Sequence, residues 1–395
     1  MDKQLRIGIF NDSFPPVMDG VAMVTLNYAW WLKDRGEDVR VITPYVPDAE
    51  PFIAKMTYPV MQYSSIPVLV RKPYRAGVPQ VAFKFQREFN QLTFDIVHTH
   101  CPFSSAHLAL RAAKRQNIPF VASFHTKYRE DFVRGTHSER IADMMIRRII
   151  KLYEQADAVW IPQAAVEETL REYGYKGEVT VVDNGNDFVT PVDQIAVMRK
   201  EMRKELGVRD NELMFLYVGQ HIWEKNWALM LDALKEIREL PFRFFTCGSG
   251  YAMKDIEAKV AEYGLQDKVT FLGVVKDRER LKKIQAAADL FLFPSLYDTS
   301  PLTIREAAAM HTPSVMIAGS TTAEVITADG NGFLAENTPE AYSKQLKLLI
   351  EHPELIEPVA NNAASTLTRS WEDVMDEVRM RYRDIIQCKK RNTAK

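Results

Sequence analysis

The chain has 395 residues, more than one hydrophobic core usually supports, so we expect two domains. Its formal net charge of −1 lacks the basic excess of a nucleic-acid-binding protein, and its composition, 46% hydrophobic and 26% charged, is typical of a globular protein. The three cysteines are scattered, which indicates reduced thiols in the cytoplasm. No apolar run approaches the roughly 20 residues that span a bilayer, and the first predicted strand begins too early for a signal peptide.

Strands and helices alternate along the chain, which predicts parallel sheets covered by helices on both faces. The first series has predicted helices at residues 21–35 and 138–155 and predicted strands at 5–10, 39–43, 96–99, 120–124, 158–162 and 179–182. The second series has predicted strands at 215–218, 243–247, 269–272, 290–294 and 314–317, before a final helix at 371–386. Turn-forming residues at 183–188 separate the two series, so we predict domains at 1–188 and 189–370 and a terminal helical segment at 371–395.

Residues 293–310 run from an apolar strand through a polar loop into an alanine-rich helix. Asp298 lies in the loop, and Glu306 lies in the first turns of the helix. Ligands of α/β proteins bind just beyond the carboxyl ends of parallel strands, and free amides at a helix N-terminus favour an anion. A carboxylate can accept hydrogen bonds from sugar hydroxyls, and backbone amides can donate hydrogen bonds to a phosphate. This segment therefore predicts a sugar-nucleotide site.

Other chemically distinctive residues also follow predicted strands. The pair Asp19 and Gly20 closes the loop after the first strand, His125 lies at the tip of the strand at 120–124, and Lys225 follows the strand at 215–218. Taken in order, these landmarks resemble the retaining glycosyltransferases of family 4, which have the GT-B fold. The resemblance covers essentially the whole chain.

The resemblance implies an α/β architecture of two Rossmann-like domains. Their parallel sheets would face an inter-domain cleft, and the C-terminal helix would cross back to the N-terminal domain. The N-terminal domain would bind the acceptor, and the C-terminal domain would bind the nucleotide sugar.

The resemblance also assigns roles to individual residues. The expected catalytic residues are His125, which would contact the transferred sugar, Asp298, which would face the donor-sugar hydroxyls, and Lys225, which would bind the diphosphate. Glu306 would bind the ribose hydroxyls, and the main chain of Val274 would read a uracil. The expected donor-binding set is Gly20, Gly219, Gln220, Lys225, Gly248, Val274, Ser300, Pro301, Leu302, Thr303 and Glu306. The expected acceptor-side set is Asp19, His100, Lys127 and Tyr128.

Two positions depart from the family pattern. Gln220 stands where the family has a phosphate-binding arginine, and Asp298 stands where it has the first of two glutamates, although the spacing to Glu306 is kept. His221 or Arg305 could supply part of the missing donor capacity. The pair His98 and His100 ends a strand, but no further ligand cluster accompanies it, so we predict no metal site.

The implied reaction moves a hexose from a nucleoside diphosphate to an acceptor hydroxyl and keeps the α-configuration, without a metal or other cofactor. UDP-glucose is the first expected donor and GDP-mannose the second. A sugar-nucleotide epimerase of the same architecture stays open as an alternative. So does a non-catalytic sugar-nucleotide-binding protein, because Gln220 and Asp298 depart from the family.

The segment from Arg111 to Lys151 has more basic than acidic residues, and within it residues 141–151 are both apolar and cationic. Such a helix can dock on anionic lipid, although a basic amphipathic helix is more often a packing helix with a solvated face. Residues 124–132 resemble the diacylglycerol-glucosylating branch of the family. A lipid acceptor and a soluble acceptor both stay open, as does peripheral attachment of a cytoplasmic protein to the inner face of the membrane through its N-terminal domain.

Overall fold

The computed structural model describes residues 3–17, 19–68 and 74–393. Met18 of the first predicted loop and the last two residues of the predicted terminal segment lie outside these ranges. The chain divides into two compact units, the first comprising Met1–Asn184 and Trp371–Lys395 and the second comprising Gly185–Ser370.

The first unit is built on a parallel sheet. Its strands are β1 (Arg6–Phe10), β2 (Asp38–Pro44), β3 (Val60–Tyr63), β4 (Ser65–Pro67), β5 (Arg75–Gly77), β6 (Ile96–Thr99), β7 (Phe120–Ser123), β8 (Ala158–Ile161) and β9 (Thr180–Val181). Its helices before the domain boundary are α1 (Gly20–Asp34), α2 (Glu50–Ile53), α3 (Phe83–Gln91), α4 (Ser104–Gln116), α5 (Tyr128–Thr136), α6 (Glu139–Tyr153) and α7 (Val166–Glu172). Seven strands form the sheet in the order β3-β2-β1-β6-β7-β8-β9, and β4 pairs separately with β5.

The sequence of β1 explains its central place in this sheet. Ile7, Ile9 and Phe10 are fully buried, as expected of a strand covered by helices on both faces. The strand order reverses around β1, which pairs in parallel with both β2 and β6. In an open α/β sheet, the carboxyl ends of the strands at such a reversal form the ligand crevice.

The second unit repeats this plan. Its strands are β10 (Leu213–Val218), β11 (Phe242–Cys247), β12 (Val269–Phe271), β13 (Leu290–Phe293), β14 (Ser314–Ile317) and β15 (Phe333–Ala335). Its helices are α8 (Val192–Leu206), α9 (Trp227–Glu236), α10 (Met253–Glu262), α11 (Arg278–Ala287), α12 (Leu302–Ala309), α13 (Pro339–Glu351) and α14 (Ile356–Thr366). The strands pair in parallel in the order β12-β11-β10-β13-β14-β15, so the reversal lies between β10 and β13.

The second unit begins at Gly185, before the predicted start at residue 189. Contacts of the turn-rich segment explain the difference. The Asn186 side-chain amide donates to the Arg305 carbonyl at 2.6 Å, and the buried Phe188 ring lies 4.3 Å from the Arg278 guanidinium. These residues therefore pack as part of the second unit.

The C-terminal helix α15 (Trp371–Thr393) belongs to the first unit and is longer than the predicted 371–386. Its Trp371 is buried, and the buried Glu37 carboxylate accepts hydrogen bonds from Arg379 Nε at 2.9 Å and Arg383 Nη2 at 3.0 Å. Charge-assisted bonds of this kind fix the orientation of the helix on the unit. Among the described residues, no helix combines the length and apolarity needed to cross a membrane.

Candidate functional site

The strand reversal of the second unit brings together two residues predicted from the sequence. Lys225 follows β10 and Asp298 follows β13, its neighbour in the sheet, and Lys225 Nζ donates to Asp298 Oδ1 in an ion pair. The two side chains are only 10% and 18% exposed. The second oxygen of Asp298, Oδ2, is buried without a hydrogen-bond partner among the described residues. A cation beside an unfilled acceptor suits a ligand that carries both phosphate and hydroxyl groups.

The loop that contains Asp298 leads directly into helix α12. Its N-cap residue is Pro301, whose side chain cannot accept a hydrogen bond from the amides that open the helix, and its first turn contains no acidic residue. The first amides of a helix, here those of Leu302 and Thr303, have no carbonyl partner within the helix. This end of α12 can therefore receive an anion.

Glu306 lies on α12 and is buried and paired. Its Oε1 accepts from Arg278 Nη2 at 2.8 Å, and the same nitrogen donates to Asp187 Oδ1 at 2.6 Å. Burial raises the pKa of Glu306, and the Arg278 charge opposes that rise. On the other side of the carboxylate, Gln285 Nε2 approaches Oε2 at 3.5 Å, while Gln285 Oε1 is buried without a partner among the described residues. Our sequence reasoning missed Arg278, Asp187 and Gln285, because no motif or spacing links them to Glu306.

Two of the predicted donor-binding glycines, Gly219 and Gly248, have packing roles. A Cβ on Gly248 would lie 1.9 Å from the Gly219 carbonyl oxygen, and the φ of Gly248 is +141°. The Gly248 amide donates to the Gly273 carbonyl at 2.8 Å, and the Gly219 amide donates to the Cys247 carbonyl at 3.0 Å. These amides are thus engaged within the turns that follow β10 and β11. The adjoining Val274 is exposed, with 51% of its surface accessible.

The two residues that could supply part of the missing donor capacity are both buried. The buried His221 bonds to Thr246 Oγ1 at 3.0 Å, and burial lowers its pKa to about 4, so it is neutral at pH 7. Arg305 is buried and directs Nη1 to the Leu367 carbonyl at 3.4 Å. A neutral imidazole can still donate one hydrogen bond, so the expectation that His221 or Arg305 supplies part of the missing donor capacity stays a prediction. The Gln220 residue itself is exposed.

In the first unit, Asp19 and Gly20 begin α1. Asp19 Oδ1 accepts from the Ala22 amide at 2.7 Å and so caps the helix. A Cβ on Gly20 would meet no atom of the residues that the structure describes within 4 Å. The unit's own packing therefore does not demand a glycine there, and the space beside the start of α1 is open to a ligand.

Three histidines lie at the carboxyl ends of β6 and β7. His98 bonds to Tyr382 Oη at 2.6 Å through Nδ1 and to Ser123 Oγ at 2.7 Å through Nε2. His100 Nδ1 lies 3.0 Å from His125 Nε2. Burial lowers the pKa of His125 to about 4 and that of His100 well below 6.5, so both rings are neutral at pH 7.

The remaining acceptor-side residues differ in exposure. Lys127 is half-buried, whereas Tyr128 is buried against the rings of Phe103 and Phe124. Sequence reasoning missed Asp12, although it lies two residues beyond β1 and so carries the same positional signal as Asp298. Its Oδ2 accepts from Ser105 Oγ at 2.6 Å, and the carboxylate receives the Ser105 amide at the start of α4.

Helix α6 uses its apolar stripe for packing. Ile146, Ile149 and Ile150 are buried in the first unit, whereas Arg148 and Lys151 are exposed. A groove of about 730 Å³ runs between α6 and α4. The lining of the groove includes the apolar side chains of Phe103, Leu108, Phe132, Met145, Ile149 and Leu152. It also includes the cationic side chains of Arg111, Arg148 and Lys151. The surface that α6 leaves open is therefore cationic, with apolar side chains between the helices.

Two family models match this chain, one in each half of the sequence. Residues 18–188 match the family described as Glycosyltransferase Family 4, and residues 198–366 match Glycosyl transferases group 1. Among the described residues, no group of three or more histidine, cysteine or acidic side chains could hold a metal ion.

Two curated relatives are alpha-monoglucosyldiacylglycerol synthases. The chain is 28% identical to the Streptococcus pneumoniae protein, over 79% of this chain and 70% of the relative. It is 25% identical to the Acholeplasma laidlawii protein, over 91% and 92% of the two chains. The sucrose-phosphate synthase of Thermosynechococcus elongatus has a similar structure, with a TM-score of 0.80 and 19% identity over 97% of this chain and 100% of that chain.

Proposed function

Because the chain belongs to the family-4 glycosyltransferases with the GT-B fold, we propose that it moves glucose from UDP-glucose to a lipid hydroxyl of the diacylglycerol type. In this proposal the α-configuration is kept. The coarser activity, transfer of a sugar from a nucleotide sugar, follows from the family. The identity of the sugar, the nucleotide and the acceptor is our proposal.

The pairing of Lys225 with Asp298 is the observation that carries the proposal. Cleavage of the anomeric C–O bond leaves negative charge on the departing diphosphate. A fixed cation in a partly buried site stabilises such charge more strongly than water does. We assign this role to Lys225 and the amides that open α12. Asp298, which has one oxygen without a partner in the described part of the chain, would accept hydrogen bonds from the sugar hydroxyls.

The proposed chemistry needs no protein nucleophile. The acceptor oxygen bonds to the anomeric carbon on the face from which the diphosphate departs, so the configuration is retained. The acceptor proton passes to the leaving phosphate oxygen, which balances the charge. The protein's contribution is to position the two reactants and to stabilise the diphosphate.

Glu306 and Gln285 can both accept hydrogen bonds from the ribose hydroxyls of a nucleotide. A carboxylate oxygen has two lone pairs, so Glu306 can accept from a ribose hydroxyl while it keeps its bond to Arg278. Gln285 Oε1 is buried and unsatisfied among the described residues, and a hydroxyl donor would satisfy it. This arrangement supports a nucleoside as the ligand of the second unit.

Two observations favour a lipid acceptor over a soluble one. The curated relatives named above are glucosyldiacylglycerol synthases, and their names state a lipid product. The groove between α4 and α6 combines apolar side chains with Arg111, Arg148 and Lys151, which suits an amphiphile near an anionic membrane surface.

The test is an activity panel that pairs UDP-glucose or GDP-mannose with diacylglycerol in mixed micelles or with water-soluble sugars. We expect an α-glucosyl lipid from UDP-glucose and diacylglycerol. A product formed only from soluble sugars would overturn the acceptor, and a product formed only from GDP-mannose would overturn the donor. UDP-glucose incubated alone tests the epimerase alternative, because an epimer would then appear without any acceptor.

A binding measurement accompanies the activity panel. Ligand at 100 times its dissociation constant adds about 2.7 kcal/mol to the free energy of unfolding, which a thermal melt detects. Stabilisation by UDP-glucose without transfer to any acceptor, and without hydrolysis, would favour a non-catalytic binding protein.

A further inference from the structure

The turn that carries Lys225 is closed by a single asparagine. Residues Trp223–Lys225 form one helical turn, and Asn226 both ends that turn and opens α9. The Asn226 amide donates to the Trp223 carbonyl at 2.9 Å, and its carbonyl accepts from the Met230 amide at 3.2 Å. The chain therefore changes direction at one residue, directly after Lys225.

The backbone of Asn226 lies in the left-handed region, with a φ of +63° and a ψ of +35°. Glycine adopts this conformation without steric cost, and asparagine adopts it more readily than most residues that have a side chain. Asparagine therefore keeps the turn that glycine would allow. It adds a side-chain amide that glycine lacks.

The side-chain amide of Asn226 joins its own turn to two other loops at the carboxyl ends of the strands. Nδ2 donates to the Pro294 carbonyl at 3.2 Å and to Asn337 Oδ1 at 3.0 Å. Pro294 directly follows β13, and Asn337 lies beyond the end of β15. A carbonyl oxygen can only accept, so the bond to Pro294 determines which end of the amide faces β13. We call these two hydrogen bonds the Asn226 tether.

The tether acts where strand pairing no longer sets the spacing between the loops. The paired register of β10 and β13 reaches Leu216 and Phe291. Lys225 and Asp298 lie well beyond these residues, in the loops that follow the two strands. The bond from Asn226 to the end of β13 therefore limits how far the two loops can separate.

The contacts of the Lys225 ammonium depend on that spacing. Nζ pairs with Asp298 and lies 5.1 Å from the centroid of the Tyr297 ring, and both of these residues belong to the loop after β13. A lysine ammonium sits on a flexible four-carbon stem, so the turn that carries the residue does not fix the charge by itself. The distance between the two loops is what holds it.

We propose that Asn226 is a positioning residue that ties the Lys225 turn to the end of β13 and thereby places the Lys225 ammonium for contact with the diphosphate of the donor. The tether is a property of the protein without ligand. Its consequence for the diphosphate rests on the proposed function. A charge that is already in place stabilises the leaving group without reorganisation at the moment of reaction.

The first test measures the tether in the protein without ligand. Acylation of lysine amines, followed by mass spectrometry of the peptides, reports how accessible each ammonium is. Lys225, which is 10% exposed, should react slowly in the wild-type protein, and Asn226→Gly should raise its rate about tenfold. The exposed Lys235 is the internal reference and should react at an unchanged rate. An unchanged rate at Lys225 overturns the inference.

A second variant leaves the turn itself intact. Asn337→Ala removes one of the two acceptors of the tether and keeps the Asn226 residue. We expect this variant to raise the acylation rate of Lys225 about twofold, in the same direction as Asn226→Gly. Glycine suits the left-handed turn, so Asn226→Gly should fold and melt close to the wild-type temperature.

The second test compares two ligands that differ only in their phosphates. Calorimetry with UDP, and with uridine in competition, should show UDP binding about tenfold weaker in Asn226→Gly and uridine binding unchanged. The matched control is Asn117→Gly, because Asn117 ends α4 in the first unit with the same left-handed backbone, at a φ of +51°. The control should bind both ligands as the wild type does. Equal weakening of UDP and uridine in Asn226→Gly would contradict a positioning role.

The two tests also separate the failure of this inference from the failure of the proposed function. If Lys225 is acylated faster in Asn226→Gly while UDP binds as before, the tether stands and the role of Lys225 at the diphosphate fails. If Lys225→Met weakens UDP binding while Asn226→Gly changes neither acylation nor UDP binding, the proposed role of Lys225 stands and the positioning role of Asn226 fails.

Discussion

Arg278 and the buried Glu306 form an ion pair in which a single guanidinium nitrogen, Nη2, serves two carboxylates. It donates to Glu306 Oε1 at 2.8 Å and to Asp187 Oδ1 at 2.6 Å. Glu306, for which we propose a role in binding the ribose, is thus already held by a cation from α11. The pair links three separate parts of the second unit, namely the segment that opens the unit, α11 and α12.

Removing Arg278 should destabilise the protein in a pH-dependent way. In Arg278→Ala the buried Glu306 loses its counter-charge, which lowers the free energy of unfolding by about 3 kcal/mol. This value is at the lower end of the range for buried ion pairs, because Arg278 is one-third exposed. The same loss raises the pKa of Glu306 further above 4.5, since the Arg278 charge opposes the effect of burial. A carboxyl group whose folded pKa is raised gains stability as pH falls through that pKa and loses it as pH rises.

The deficit of Arg278→Ala relative to wild type should therefore be largest near about pH 8 and smaller near about pH 5. Urea unfolding at both pH values measures it. In a Glu306→Gln background the same substitution should give a deficit that does not change with pH. A deficit that grew on acidification would contradict the assignment of the effect to Glu306.

Lys225→Met should lower kcat/KM for the nucleotide sugar by about 10²–10³-fold, because it removes one group that stabilises the leaving diphosphate. Calorimetry with UDP should show weaker binding as well. Lys235→Met is a matched control on α9, where the exposed lysine lies over Tyr263 at 4.5 Å. Wild-type kinetics in Lys225→Met would remove Lys225 from the site.

Substitutions of two glycines should distinguish a glycine that leaves room for a ligand from a glycine that the packing of the protein requires. Gly20→Ala should keep or raise the melting temperature, because alanine favours a helix by up to about 1 kcal/mol over glycine. The same substitution should slow sugar transfer if a ligand occupies the space beside Gly20. Gly248→Ala should cost about 1–3 kcal/mol or more, because its Cβ would overlap the Gly219 carbonyl. Thermal melts and rate assays on both variants test this, and unimpaired transfer by Gly20→Ala would exclude ligand contact there.

The cations of the groove should contribute to membrane binding. Replacing Arg148 and Lys151 with glutamine removes two exposed charges, worth about 2 kcal/mol or roughly 30-fold in binding to anionic vesicles. Co-sedimentation with phosphatidylglycerol vesicles measures the change. The control changes the exposed Lys200 and Lys204 of α8 to glutamine. Equal loss in both double variants would point to net charge and not to the groove.

The positions of Lys225 and Asp298 could be predicted because the ends of the strands can be recognised in the sequence. Ligands of α/β proteins bind at the edge of the sheet where the parallel strands have their carboxyl ends. The prediction that the chain has the GT-B fold of family 4 was confirmed. The partnership of Arg278 with Glu306 could not be predicted, since it depends on how α11 packs against α12. The bond from Arg305 to the Leu367 carbonyl could not be predicted for the same reason.

The most direct measurement is a crystal structure of the protein with bound UDP. We expect the ribose hydroxyls to lie within hydrogen-bond distance of the Glu306 carboxylate and the diphosphate to lie beside Lys225 and the N-terminus of α12. UDP bound elsewhere, or bound with its diphosphate remote from Lys225, would mean that Lys225 and Glu306 do not form one nucleotide site.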